Sequence, residues 1–263
     1  MRKPSLSPTK LSTYLACPVK YRWTYVDDRG KWYLRAKSYY SFGTTLHRAL
    51  ERFHASEDGG IETTAQALAA YEESWIDAGF SSAEEMAEAY HEGKEILERH
   101  VEDYKKRETR GRVLFVEKQI KLDMGEFDLT GRIDRVDEHE DGTLEIVDYK
   151  TGRDEVSAKD VETDIAMGCY QLLLSRGFPG RPVIATIYAL RSGEQATESM
   201  TMEELDQFEK DVRLLGGEIL TQEYYDLTPR VKRLCDGCDF LPLCRRHEEF
   251  AEELGAATVI RDS

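Results

Sequence analysis

The first half of the chain carries its apolar residues at helical spacing. Ser7-Pro8 reads as a cap followed by a proline at the first helical position, with Leu11, Tyr14 and Leu15 on one face and Cys17-Pro18 closing the segment. Phe42, Leu46, Ala49, Leu50 and Phe53 predict a helix over 41–55. Two polar, glutamate-rich helices are expected at 62–78 and 82–107, ending at Gly111. The pattern then shortens to short apolar runs. Val113 to Val116 with Ile120, then Phe127, Leu129, Ile133 and Val136, then Leu144, Ile146 and Val147 predict three strands. A helix is expected at about 159–176, strands at 183–190 and 195–200, and a helix at about 202–222. Helices flanking a mixed β-sheet give an α/β architecture, with a helical insert at about 56–110.

Length fits this as a single domain over 1–263. There is no long uncharged apolar run, which argues against a transmembrane helix, and no apolar leader follows the basic residues near Met1. A cytoplasmic protein with no membrane partner is expected. The net charge of -15 argues against a polyanion as partner. Its distribution changes that picture, because residues 1–52 carry +8 while 53–110 carry −9 and 111–263 carry −14. The basic first fifth also holds Tyr21, Trp23, Tyr25, Trp32 and Tyr33, with Lys20 and Arg22 among them. Aromatic rings interleaved with cations suit single-stranded nucleic acid.

The chemistry is densest at Gly131-Arg132-Ile133-Asp134-Arg135, Asp141-Gly142 and Val147-Asp148-Tyr149-Lys150-Thr151-Gly152. Two apolar strands around a turn signal read as a hairpin, each strand carrying a carboxylate. Facing carboxylates repel, and a hard divalent cation such as Mg²⁺ or Mn²⁺ removes that cost. Lys150 lies two residues past Asp148, on the same strand face, where an ammonium can orient or deprotonate a water. The set suits metal-assisted phosphodiester hydrolysis. Strand parity adds a geometric condition. A two-residue Asp141-Gly142 loop sets Asp134 against Tyr149, whereas a three-residue Glu140-Asp141-Gly142 loop, with Gly142 left-handed, pairs His139 with Thr143 and sets Asp134 opposite Asp148. The three-residue loop is the expectation.

Asp134 followed by Asp148-x-Lys150 resembles the motif of the PD-(D/E)XK nuclease superfamily, and Gly-Arg-Ile-Asp-Arg-Val-Asp with Val-Asp-Tyr-Lys-Thr-Gly resembles its RecB-like branch. Leu11 to Pro18 with Lys20-Tyr21, Gly43-x-x-x-His47 and Glu117 match further pieces in the same order. The resemblance implies a restriction-endonuclease-like mixed sheet and a metal-dependent deoxyribonuclease, an exonuclease on single strands or DNA ends. It implies metal ligation by His47, Asp134, Asp148 and the Tyr149 carbonyl, with Lys150 positioning the water. Lys20, Arg22, Arg132, Arg135 and Tyr170 are expected DNA contacts. The family's Gln-x-x-x-Tyr is altered: aligning Tyr170 puts Ala166 at the glutamine position, and Gln171 is followed by Ser175. His54, His91, His100 and His139 show no partner pattern and are expected at the surface.

Cys235-x-x-Cys238-x5-Cys244 has metal-ligand spacing. The resemblance adds Cys17 as a fourth thiolate, which implies a 4Fe–4S cluster joining segments of about 6–25 and 226–247. Zinc with His247 is the competing reading. Cys169 reads as a buried free thiol. No Gly-x4-Gly-Lys-Ser/Thr loop is present, so no ATP motor is expected in these residues, and a helicase or CRISPR integration-complex partner is compatible with either DNA repair or spacer acquisition. The alternative function is a non-catalytic DNA-binding or scaffold subunit on the same fold, which the altered glutamine position favours and the complete His47, Asp134, Asp148 and Lys150 set opposes.

Overall fold

The computed structural model describes residues 3–55, 61–106 and 111–261. Residues 56–60 and 107–110, at the two ends of the expected insert, lie outside the described residues. In chain order the elements are β1 (Ser5–Leu6), α1 (Pro8–Ala16), α2 (Pro18–Tyr21), α3 (Ser38–His54), α4 (Thr64–Ser74), α5 (Ala83–Lys106), β2 (Arg112–Asp123), β3 (Asp128–Glu138) and β4 (Leu144–Lys150). They continue with α6 (Ala158–Thr163), α7 (Ile165–Gly177), β5 (Val183–Ala189), β6 (Gln195–Glu198), α8 (Met202–Thr221), α9 (Leu241–Cys244) and α10 (Glu248–Arg261). Packing divides the chain into two compact units, Met1–Pro8 with Ala36–Leu214, and Thr9–Arg35 with Leu215–Ser263.

The larger unit is a mixed six-stranded sheet in the order β1-β3-β4-β5-β6, with β2 paired to β3. The β1–β3 and β4–β5 pairs are parallel, and β2–β3, β3–β4 and β5–β6 are antiparallel. Alternation along β4 and β5 serves two cores. Val147, Tyr149, Tyr188 and Leu190 pack with Phe42, Leu46, Leu50 and Phe53 of α3, Tyr71 of α4 and Leu97 of α5. Leu144, Ile146, Ala185 and Ile187 pack with Val161 of α6 and Met167 and Leu174 of α7. Helices thus cover both faces, as a buried parallel pair requires.

The helix expected at about 159–176 is two helices. Asp164 has an extended backbone, and its Oδ1 accepts the Ala166 amide at 2.7 Å, so it caps α7 rather than continuing α6. The 113–116 run and Ile120 form one long strand, β2. No helix among the described residues is long and apolar enough to cross a membrane.

The smaller unit is built around aromatic packing. Tyr14 meets Tyr21 edge-on at 5.6 Å, Tyr21 stacks on Tyr224 at 5.5 Å, and the Tyr14 hydroxyl donates to Glu218 at 2.8 Å. Phe240 and Phe250 are fully buried. Cys17 caps α2, its sulfur accepting the Lys20 amide, and the Lys232 ammonium donates to the Ala16 carbonyl at 2.6 Å.

Candidate active site

The site forms where β3 parts from β4. The hairpin loop is the three-residue one: His139 N–H donates to the Thr143 carbonyl at 2.9 Å, and Gly142 takes φ +86°. The ladder runs Glu138↔Leu144 to Arg135↔Val147, the register that brings Asp134 and Asp148 to the next rung. Regular pairing stops before that rung. The Asp134 side chain enters the opening, and its Oδ2 accepts the Tyr149 amide at 2.9 Å in place of a backbone partner.

The other edge of β3 brings a further carboxylate. Val116 pairs with Arg135 and Lys118 with Ile133, so Glu117 sits across from Asp134. Glu117 has φ +47°, a left-handed conformation uncommon for a residue with a side chain. Above this pair, α3 delivers His47. Its Nδ1 lies 3.4 Å from Asp134 Oδ1 and 3.8 Å from Glu117 Oε1, and ligand atoms of all three residues fall within 4.8 Å of one another. The opposite ring nitrogen, Nε2, donates to the Tyr149 carbonyl at 3.1 Å. Burial disfavours a charged imidazole here, but the bonds to Asp134 and Glu117 outweigh it and raise the His47 pKa to about 10.

Asp148 and Lys150 alternate to the α7 side of β4. The Lys150 ammonium lies 2.6 Å from Asp148 Oδ2 and 3.7 Å from Asp164 Oδ2. Asp148 is buried, and burial followed by the nearby Asp134 charge pushes its pKa up against the pull of Lys150 and His47. Burial lowers the Lys150 pKa, but Asp148 outweighs burial, so the ammonium is held charged.

Tyr149 carries the site from behind. Its backbone touches both Asp134 and His47, while its side chain points into the α3–α5 core. There the hydroxyl accepts from Arg135 Nη1 at 2.6 Å, and the same nitrogen lies 2.9 Å from His54 Nε2. His54 and His100 meet at 3.0 Å, and Arg135 pairs with Asp137 at 3.0 Å.

Several expected roles change. Arg135 is only 3% exposed and bound to Asp137 and Tyr149, so it cannot reach a phosphate at the surface. His54 and His100 are buried, not surface residues, because they follow Leu50 and Ile96 by four on the apolar faces of α3 and α5. His139 is partly buried and pairs with Glu145 at 2.8 Å. Arg132 remains exposed, its Nε 2.5 Å from Glu117 Oε2. Tyr170 packs over Gly131, where an added Cβ would meet the ring at 3.0 Å. Gln171 is buried with its Oε1 accepting the Met200 amide at 2.8 Å, so it does not stand in for the glutamine absent at Ala166. In the smaller unit, Arg22 lies between the Trp23 and Tyr225 rings and pairs with Asp27 at 3.6 Å, while Lys20 is half-buried. Asp164 was not among the expected site residues; an acid directly before an apolar helical run is its one signal. Glu117, expected only to open the sheet, joins the His47–Asp134 pair.

Cys169 is buried, as its helix face implies. Cys17, Cys238 and Cys235 lie near enough to Cys244 to influence its charge: burial first, and then those thiols, push its pKa up to about 12.

Residues 5–245 match the sequence profile of the PD-(D/E)XK nuclease superfamily. No curated protein matches the chain in sequence. Solved structures similar to it include the following two. SSO0001 shares 13% identity, with 93% of this chain and 87% of that chain covered and a TM-score of 0.41. A protein from Eubacterium rectale with a provisional exonuclease designation shares 13%, with 80% and 92% covered and a TM-score of 0.37.

Proposed function

The chain belongs to the PD-(D/E)XK nuclease superfamily, and on that premise we propose that it is a Mg²⁺- or Mn²⁺-dependent deoxyribonuclease, an exonuclease on single strands or DNA ends. The observation that carries this reading is the convergence of His47, Glu117 and Asp134 beside the Asp148–Lys150 pair. The donor set suits a hard divalent cation: carboxylate oxygens that repel one another in its absence, with one imidazole nitrogen turned toward them. His47, Asp134 and Glu117 would hold it, with Asp148 at the adjoining position. When bound, such a cation polarises a phosphoryl oxygen and makes a coordinated water more acidic.

The remaining work falls to the chain's own groups. The Tyr149 backbone holds the His47 ring through its carbonyl and the Asp134 carboxylate through its amide. Asp148 and Asp164 hold the Lys150 ammonium charged, where it can position the attacking water and stabilise charge growing on the phosphate. Arg132, exposed at the cleft, offers a guanidinium to a flanking phosphate.

The second element of the reading is a 4Fe–4S cluster on Cys17, Cys235, Cys238 and Cys244. The mutual electrostatic influence of these thiols supports it. A RecB-like role in DNA repair or in CRISPR spacer acquisition, with a helicase or integration-complex partner, completes the proposal.

The test is incubation of the purified protein with single- and double-stranded DNA, with Mg²⁺, Mn²⁺ or chelator, beside Asp134→Ala. Cleavage that needs the cation and is lost in the variant is expected. Cleavage unaffected by either would overturn the reading.

A further inference from the structure

A cleft of about 520 Å³ opens over His47, and its far wall is aromatic. Tyr39 and Tyr40 stand there 58% and 65% exposed, with ring centroids 4.4 Å apart and planes tilted by 45°. These rings are not part of the packing of α3, which buries Phe42, Leu46, Leu50 and Phe53 on its other side. Tyr40, the more exposed of the two at the mouth of the cleft, offers a flat apolar face to a ligand.

Their position along the helix says which ligand. Tyr40, Thr44 and His47 follow at i, i+4 and i+7, so they form one stripe, with about 10 Å of helix between Tyr40 and His47. Arg48 and Arg132 line the same cleft with Glu51 and Glu117, and both glutamates pair with Arg132, leaving Arg48 as the cation toward Tyr40. On the far side of Tyr39 the neighbouring groove is more acidic, lined by Glu85, Glu88 and Glu92 with Arg191 paired to Glu92. Phosphates are favoured along the Arg48 side and repelled beyond Tyr39.

We propose that Tyr40, backed by Tyr39, is a stacking platform for one base of a single-stranded DNA whose backbone runs along α3 past Arg48 to His47. This rests on the nuclease reading for what happens at His47, but the platform itself is a binding statement. A base inside a duplex has both faces covered by its neighbours, whereas an unpaired base can turn one to the ring, so the platform selects single strands over internal duplex.

A single strand carrying 2-aminopurine, bound to the full-length protein with Ca²⁺ in place of Mg²⁺, reads the platform directly. The wild type is expected to quench the fluorescence. Tyr39→Ala/Tyr40→Ala is expected to lose the quench and bind about tenfold or more weakly, and Tyr39→Phe/Tyr40→Phe to restore both. With Mg²⁺, the wild-type preference for a normal strand over one with abasic sites, read as a ratio of kcat/KM, should collapse in the alanine variant. Unchanged quenching and affinity in that variant overturns the platform. Absence of cleavage by the wild type on every DNA overturns the nuclease reading instead, and leaves the fluorescence result to decide the platform.

Discussion

The Tyr149 amide donates to Asp134 Oδ2 at 2.9 Å, so a side chain fills the ladder position where β3 and β4 part. Continued pairing at that rung would have tied up the strand edge in backbone bonds. Instead the edge is open, and the carboxylate that closes it faces His47 with its other oxygen, Oδ1, at 3.4 Å. The backbone of one residue, through its N–H and its C=O, thereby sets the orientation of both Asp134 and His47.

Replacing Lys150 by Met keeps the bulk and removes the charge. Loss of roughly 10²–10³-fold in kcat is expected, with DNA affinity changed far less. Asp134→Ala and Asp148→Ala should be inactive while remaining folded by circular dichroism. Full activity in the Lys150 variant would end its assigned role.

Tyr149→Phe leaves the strand intact and deletes the acceptor of the Arg135 bond. The buried guanidinium then has an unmet donor, at a cost of about 1–3 kcal/mol by denaturant unfolding. Because the buried ring anchors the backbone that orients Asp134 and His47, loosening that anchor should also lower affinity for Mn²⁺ by roughly tenfold in a calorimetric titration. A stability loss without an affinity loss would confine Tyr149 to the core.

Purified without oxygen, the protein should be brown and contain iron bound through Cys17, Cys235, Cys238 and Cys244. Each Cys→Ala variant should lose both colour and thermal stability, since cluster assembly is coupled to folding. Stoichiometric zinc, with His247 as a ligand, would decide for the rival site.

Acid stability should report Asp27. Hydrogen bonds from Arg29 hold its carboxyl at about 2, below the ordinary 3.8, against the opposing effect of burial. A depressed carboxyl stabilises the fold above its unfolded pKa, and that contribution is lost as pH falls from about 4 through about 2. Asp27→Asn should therefore lower stability at neutral pH and flatten the fall in this window. An identical pH slope in wild type and variant would contradict the pairing.

The sheet, the hairpin register and the placement of Asp134 opposite Asp148, with Lys150 on the same face, were readable because each rests on local rules: period, turn chemistry and strand parity; His47 came from the motif resemblance, not from those rules. Arg135 was misplaced for a physical reason. Alternation says which way a side chain points, but not that a helix 81 residues earlier will supply His54 to meet it. Similarly, His54 and His100 fit the apolar faces of α3 and α5 by spacing, and only their polarity argued them outward. Asp164 was hidden inside an apparently continuous helical pattern, because a cap is local and the Lys150 pairing it supports is not. The left-handed backbone of Glu117 has no sequence signal, since it belongs to the strand pairing around it.

That backbone has a consequence for how the protein balances durability against activity. A glycine at position 117 would adopt φ +47° freely and relieve the backbone strain that a side chain suffers there. The chain carries a glutamate there instead, so under the proposed reading the position serves the reaction at the expense of the fold. Glu117→Gly is expected to melt at a higher temperature than the wild type in the metal-free state and to bind Mn²⁺ more weakly, two opposite shifts that one pair of melting curves, with and without the ion, would show together.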